Sequence, residues 1–219
     1  MRKERVLLWL SLVLNAVVFF FVLIPVLILA FDGTKEYGGY GAYILVYFTV
    51  DSNLLAAAAS LAAAVGALRR LKDPDRPLSR VLGVFKLAAT ASVGLTFLTI
   101  LIWLGPPAGY EGLFSNVQLY LHLIVPLLAI LSYVFLDRHE PLPFPASLFA
   151  VLPTALYGAV YLTNVVFTRH WKDFYNLYAG GRWYLSAIVM LAASFVLGAF
   201  LWGAHRLFFS VLFRKQRTP

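Results

Sequence analysis

Residues 6–30 read VLLWLSLVLNAVVFFFVLIPVLILA, an apolar run without one charged side chain. About 20 such residues carry a helix across the hydrocarbon core of a bilayer, so the run is long enough to span it. It follows Met1-Arg2-Lys3-Glu4-Arg5, a basic start like that of a signal peptide. A signal peptide has a shorter apolar region and ends at a small-residue cleavage site, and neither is found here. The run is read as a retained first membrane helix.

Five more runs of similar character follow, at about 41–68, 81–104, 115–136, 145–167 and 184–208. Chemically clear breaks separate them. Asp32-Gly33-Thr34-Lys35-Glu36 ends the first, and the stretch from Arg69 to Pro77 divides the second from the third. Gly105-Pro106-Pro107 is expected to end the third, because prolines lack the N–H that continues a helix. Asp137-Arg138-His139-Glu140-Pro141 ends the fourth, and Arg169 to Arg182 forms the longest loop, with Trp171, Trp183 and Tyr184 suited to the lipid interface. The expected fold is all-α: one transmembrane domain over 1–219, an integral bundle of six helices.

Composition supports this from another side. The chain is 61% hydrophobic and 13% charged, with a mean hydropathy of +0.81. A water-soluble domain carries about 25% charged residues to keep its surface wet. Cysteine is absent, which excludes disulfides, thiolate metal sites and a Cys nucleophile. The formal charge of +8 sits at helix ends, which suits anionic lipid rather than nucleic acid.

That charge also orients the bundle. Arg2, Lys3, Arg5, Arg69, Arg70, Lys72, Arg76, Arg80, Arg138, Arg206, Arg214, Lys215 and Arg217 fall on one side, against Lys35, Arg169, Lys172 and Arg182 on the other. The positive-inside rule then puts both termini in the cytoplasm. Lys86 and His205, near cytoplasmic helix ends, are expected to snorkel toward the interface, and Asn15 to hold helices together.

A polar side chain inside hydrocarbon is costly and marks a cavity or a helix contact. The second run carries Thr49, Ser52 and Asn53 on one helical face, with Asp51 pointing elsewhere. The fourth carries Ser115, Gln118 and His122 at steps of three and four, and the fifth Thr154, Tyr157, Tyr161 and Asn164 likewise. Counted from the outer ends of their runs, Thr49 lies ~12 Å deep and His122 ~10 Å deep. One shared cavity in the outer half of the membrane is expected.

A Thr hydroxyl is a poor nucleophile until a base takes its proton, and His is suited to that near neutral pH. Asn53, one turn from Thr49, offers a donor to a developing oxyanion. Asp51 or Gln118 offers a group to orient His122, as the third member of a triad does. Residue types alone also allow an ion or proton path through Asp51, Asn53 and His122, or a non-catalytic lipid-binding protein. A haem site is disfavoured because only His122 lies deep in a run, and a metal site because His and carboxylates are not clustered.

Phe48-Thr49-Val50-Asp51-Ser52-Asn53-Leu54-Leu55 resembles the FTxxSNLL signature of androgen-induced-type membrane proteins and their bacterial six-helix relatives. Tyr120-Leu121-His122-Leu123-Ile124-Val125-Pro126-Leu127 resembles that family's second signature, a His followed four residues later by Pro. The resemblance extends over nearly the whole chain in span number and motif order. It implies a threonine hydrolase of the membrane, without a cofactor, that cleaves esters of fatty acids with hydroxy fatty acids. It implies Thr49 and His122 as the required pair. Asp51 departs from the pattern, standing where such proteins are variable and often uncharged. The implied location is a cell membrane, the inner one if the source is bacterial.

Overall fold

Hydrocarbon cannot hydrogen-bond a backbone amide, and a helix answers that within a single segment. In the computed structural model, which describes residues 2–32, 39–73 and 77–214, the chain is all-helical with no strand among the described residues. Six helices are long and apolar enough to cross a membrane. They are α1 (Arg2–Phe31), α2 (Phe48–Arg70), α3 (Arg80–Ala108), α4 (Asn116–Leu136), α5 (Phe144–Phe167) and α6 (Trp183–Arg214). Of the residues that marked breaks or sides in the sequence, Gly33 to Glu36, Pro74, Asp75, Arg76, Lys215 and Arg217 lie outside the described residues.

Two boundaries differ from expectation. The second helix starts at Phe48 rather than near 41. Residues Gly41–Val46 make a separate 3-10 turn, and Tyr47 is extended between the two. Gly39 and Gly41 take positive φ, which starts the chain in a turn. The aromatic and β-branched run that follows loses rotamer freedom in a helix. Thr49 therefore sits in the first turn of α2, and the depth counted from residue 41 does not hold. The third helix, in contrast, passes through Pro106 and Pro107 to Ala108. Thr99–Leu104 forms a π-type turn in which the Gly105 N–H reaches the Ile100 carbonyl. The prolines then begin a fresh turn, where a missing N–H costs nothing.

Packing follows side-chain size. In α3, Lys86 to Thr96 is buried throughout, and Ala88, Ala89, Ala91, Ser92 and Gly94 keep that stretch thin. In α2, Ala56, Ala59, Ser60, Ala63 and Ala67 form the buried stripe. Without a hydrophobic drive between helices in lipid, small residues bring backbones into van der Waals range. Large apolar groups point outward instead, among them Trp9, Phe20 and Ile24 of α1 and Ile188, Val196 and Phe200 of α6. That is a surface made for acyl chains. Glu4, Arg70, Leu136 and Phe209 meet around one hollow, so the start of α1 and the end of α6 share one end of the bundle.

Near that end lies a buried ionic cluster. Lys86 and His205 do not snorkel: they are only 2% and 6% exposed. The Lys86 Nζ lies 3.5 Å from the Asp137 carboxylate. It also donates to Ser60 Oγ at 2.7 Å and to Asn15 Oδ1. Asp137 further accepts from Ser11 at 2.7 Å, Asn15 at 2.8 Å and Ser132 at 2.6 Å. Asp137 closes α4 as expected, but as the centre of a dry network rather than as part of a wet loop. A charge in hydrocarbon persists only when paired and hydrogen-bonded, and here each finds its partner closer than the interface.

Candidate functional site

The site begins with a proline. Pro126 has no N–H for the His122 carbonyl, and its ring crowds that carbonyl. The helix responds with a π-type turn over Tyr120–Ile124, in which the Val125 N–H reaches back to the Tyr120 carbonyl. His122 lies in this widened turn and is 6% exposed. Thr49, in the first turn of α2, faces it.

Thr49 Oγ1 and His122 Nε2 are 3.5 Å apart. The other ring nitrogen, Nδ1, lies 2.7 Å from the Leu113 carbonyl. A carbonyl only accepts, so Nδ1 carries the proton and donates it. The neutral ring then has its lone pair at Nε2, toward the threonine hydroxyl. A gap of 3.5 Å is the outer limit of a hydrogen bond, and such pairs tighten when a substrate arrives.

This accounts for both ring nitrogens and leaves none for Asp51 or Gln118. The orienting group is a backbone carbonyl in the segment before α4. Asn53 is also committed elsewhere. Its amide donates to the Thr49 carbonyl at 2.7 Å and to the Leu121 carbonyl at 3.0 Å, pinning α2 to α4 next to the pair. The remaining Oδ1 is an acceptor and offers nothing to an oxyanion. Ser52 bonds Thr96 Oγ1 at 2.8 Å and so joins α2 to α3.

Beside Thr49 is a cavity of about 180 Å³ among α2, α3, α5, α6 and the 168–182 loop. Thr49, Thr96, Thr154, Tyr157, Tyr161 and Tyr175 supply its few polar atoms, and Leu95, Ile100, Leu104, Leu162, Met190 and Leu191 most of its wall. Gly158 and Ala159 lie on its rim, and Ala159 is exposed on the outer face of α5. Of the expected lining, Tyr157 and Tyr161 are present. Ser115, Gln118 and Asn164 are not. The Ser115 hydroxyl donates to the Gly112 carbonyl at 3.2 Å. Asn164 donates to the Val160 carbonyl of its own helix at 2.9 Å, as short polar side chains commonly do.

Tyr175 is the residue that the sequence reading missed. Asp173 organises its loop by accepting from Tyr161 Oη at 2.7 Å and from the Leu177 and Tyr178 amides at 2.8 and 2.7 Å. The Tyr175 carbonyl accepts from Trp103 at 3.1 Å, and its amide donates to Tyr161 Oη at 3.2 Å. Its hydroxyl is buried and hydrogen-bonded to none of the described residues. It faces the side chains of Thr49 and Tyr157. Burial pushes the phenol up to about 12, so it stays a neutral donor over the physiological range. Only the density of aromatics in the loop hinted at such a role. Compared with protein-family models, curated proteins and solved structures, the chain has a match in none of the three.

Proposed function

We propose that this chain is an intramembrane hydrolase of lipid esters, of the kind that join a fatty acid to a hydroxy fatty acid. Thr49 is the nucleophile and His122 its general base. The observation that carries this reading is the 3.5 Å approach of a hydroxyl to an imidazole nitrogen whose lone pair is fixed by the Leu113 carbonyl. The apolar cavity at Thr49 and the resemblance of residues 48–55 and 120–127 to a threonine-hydrolase family support it. The chemistry needs no more than these parts.

The ester carbonyl sits against Thr49 Oγ1. As the oxygen attacks, its proton passes to His122 Nε2, and a tetrahedral oxyanion forms beside the Tyr175 hydroxyl. One donor aimed at such an oxyanion is commonly worth ~3 kcal/mol. The intermediate collapses, the C–O bond to the hydroxy acid breaks, and His122 returns its proton to the leaving alkoxide. The acyl group remains on Thr49. Water, deprotonated by the same nitrogen, then attacks the acyl-threonine and releases the fatty acid.

The substrate enters sideways from the bilayer past Gly158 and Ala159, with its chains left in lipid. We also infer that the end bearing both termini is cytoplasmic, from thirteen Lys and Arg residues against four. The site then opens to the outer half of the membrane.

The test uses purified full-length protein in detergent with a fluorogenic long-chain ester and a fluorophosphonate probe. Wild type should turn over the ester and take up the probe at Thr49. Thr49→Ala should do neither, and Thr49→Ser should keep part of the turnover. Turnover by Thr49→Ala equal to wild type would end the assignment.

A further inference from the structure

The opposite end of the bundle carries a second cavity, about 740 Å³ in volume, which the proposed chemistry leaves unused. Its wall comes from the segment before α3, the segment after α4 and the last turns of α6. Arg80, Arg138, His139, His205 and Arg206 line it, and no carboxylate among the described residues does. Of these, Arg138 has an acidic partner, Glu4 at 3.4 Å. Arg206 lies 5.3 Å over the Trp202 ring, which fixes the guanidinium in place. Arg80 stands in the first turn of α3, where a cation is disfavoured by the helix dipole unless an anion joins it.

The wall is built rather than incidental. The Leu78 amide donates to the Arg138 carbonyl at 3.0 Å, and the Glu140 amide returns to the Leu78 carbonyl at 2.9 Å. The His139 and His205 rings stack at 3.9 Å, inclined by 7°. Gly83 leaves room for them, since a Cβ there would lie 2.7 Å from the His139 ring. His139 Nδ1 is 2.8 Å from the Glu140 carbonyl, so Nδ1 carries the proton. His139 is buried and lines the cavity, and its Nε2 is bonded to none of the described residues. A buried bare acceptor beside arginines asks for a ligand with an anion and a hydroxyl together. Leu142, Pro143 and Phe209 add apolar wall against which acyl chains can pack.

We propose that this cavity binds the headgroup of an anionic phospholipid, with the phosphodiester on Arg80 and Arg206 and a headgroup hydroxyl on His139 Nε2. Phosphatidylglycerol has that chemistry. Basic pockets between helices on the positively charged side are where such headgroups are held. A free phosphate ion shares the charge but has no chains for the apolar wall.

The experiment measures binding to the full chain in detergent by native mass spectrometry, with thermal unfolding in parallel. The probes are phosphatidylglycerol, phosphatidylmethanol, phosphatidylcholine and inorganic phosphate. Phosphatidylmethanol has the same charge as phosphatidylglycerol without its hydroxyls. Phosphatidylglycerol should bind best and raise the unfolding midpoint. The exposed pair Arg80→Gln and Arg206→Gln should weaken it by about 25-fold, about fivefold for each arginine. His139→Phe keeps a ring in the stack and should lower phosphatidylglycerol to the level of phosphatidylmethanol. Equal binding of phosphatidylcholine, equal binding by the double arginine variant, or full stabilisation by inorganic phosphate alone would each overturn the proposal.

Discussion

The Lys86–Asp137 cluster and the Thr49–His122 pair lie toward opposite ends of one bundle and are built on different terms. Around Asp137, the carboxylate takes three donors besides Lys86, and those contacts join α1, α2, α3 and α4. The Asp137 side chain lines neither of the cavities described above, although its neighbours Arg138, His139 and His205 line the one at that end. Around Thr49, the contact is long, the facing tyrosine hydroxyl is unsatisfied, and an apolar hollow begins at the next atom. Satisfied polar groups in a low dielectric rigidify; unsatisfied ones beside space are positioned for a ligand. Intramembrane charge is therefore a poor guide to function by itself. What distinguishes the two clusters is whether every lone pair and proton already has a partner.

The largest effect is expected at the ionic cluster. Asp137→Ala strands Lys86 in the bundle and should cost about 3–5 kcal/mol, read as a fall in the unfolding midpoint in detergent. Lys86→Met with Asp137→Leu should regain much of that loss, because removing both charges removes the desolvation cost. A wild-type midpoint for Asp137→Ala would mean that the cluster does not hold the helices.

At the other end the effects should be on rate and not on stability. His122→Ala and Thr49→Ala should each lower ester turnover by at least about 10³-fold, and the double variant no further, since nucleophile and base act as a unit. Their unfolding midpoints should stay near wild type. Tyr175→Phe should reduce turnover about 10²-fold by removing the oxyanion donor. Its stability should hold or rise, because the lost hydroxyl was buried without a bond. With the phenol at about 12, that deficit should be constant between pH 6 and pH 9, where the donor is always protonated. A Tyr175→Phe deficit that appears only in the alkaline half of this range would point to the phenolate instead.

The smallest effect is expected at Asp51. Both nitrogens of His122 are occupied without it, so Asp51→Asn should change turnover by less than about tenfold and leave the acid limb of the pH profile where it was. A shift of that limb would restore Asp51 as an influence on the base.

The six helices were legible because bilayer thickness is a length that any apolar run can be measured against. The approach of Thr49 to His122 was legible because a hydroxyl and an imidazole are rare enough in hydrocarbon to be noticed, and because the motifs around them are distinctive. The depth of Thr49 was not legible, because the apolar run that starts at residue 41 opens with a 3-10 turn and its helix begins only at Phe48. Leu113 was invisible in principle: a carbonyl is present at every residue, and only tertiary structure shows which one meets a ring nitrogen. Tyr175 was hidden by its loop, whose path is set by Asp173 and Tyr161 rather than by any local period. Asp137 misled because it stands in a run of loop-like neighbours, Arg138, His139, Glu140 and Pro141, while its own side chain turns inward.

The widened turn at Tyr120–Ile124 amounts to one extra residue a turn into a transmembrane rod. An α-helix advances about 100° per residue, so the insertion shifts the phase of everything below it by that amount. The outer segment of α4 can aim His122 at α2 while the inner segment, in its own phase, aims Ser132 at α1, and a second π-type turn over Ser132–Leu136 then directs Asp137 toward α1 and α3. A single uninterrupted helix would have tied those two directions to each other. The slips uncouple them, so the aim of His122 and the structural anchor at Asp137 can be tuned by substitution one at a time.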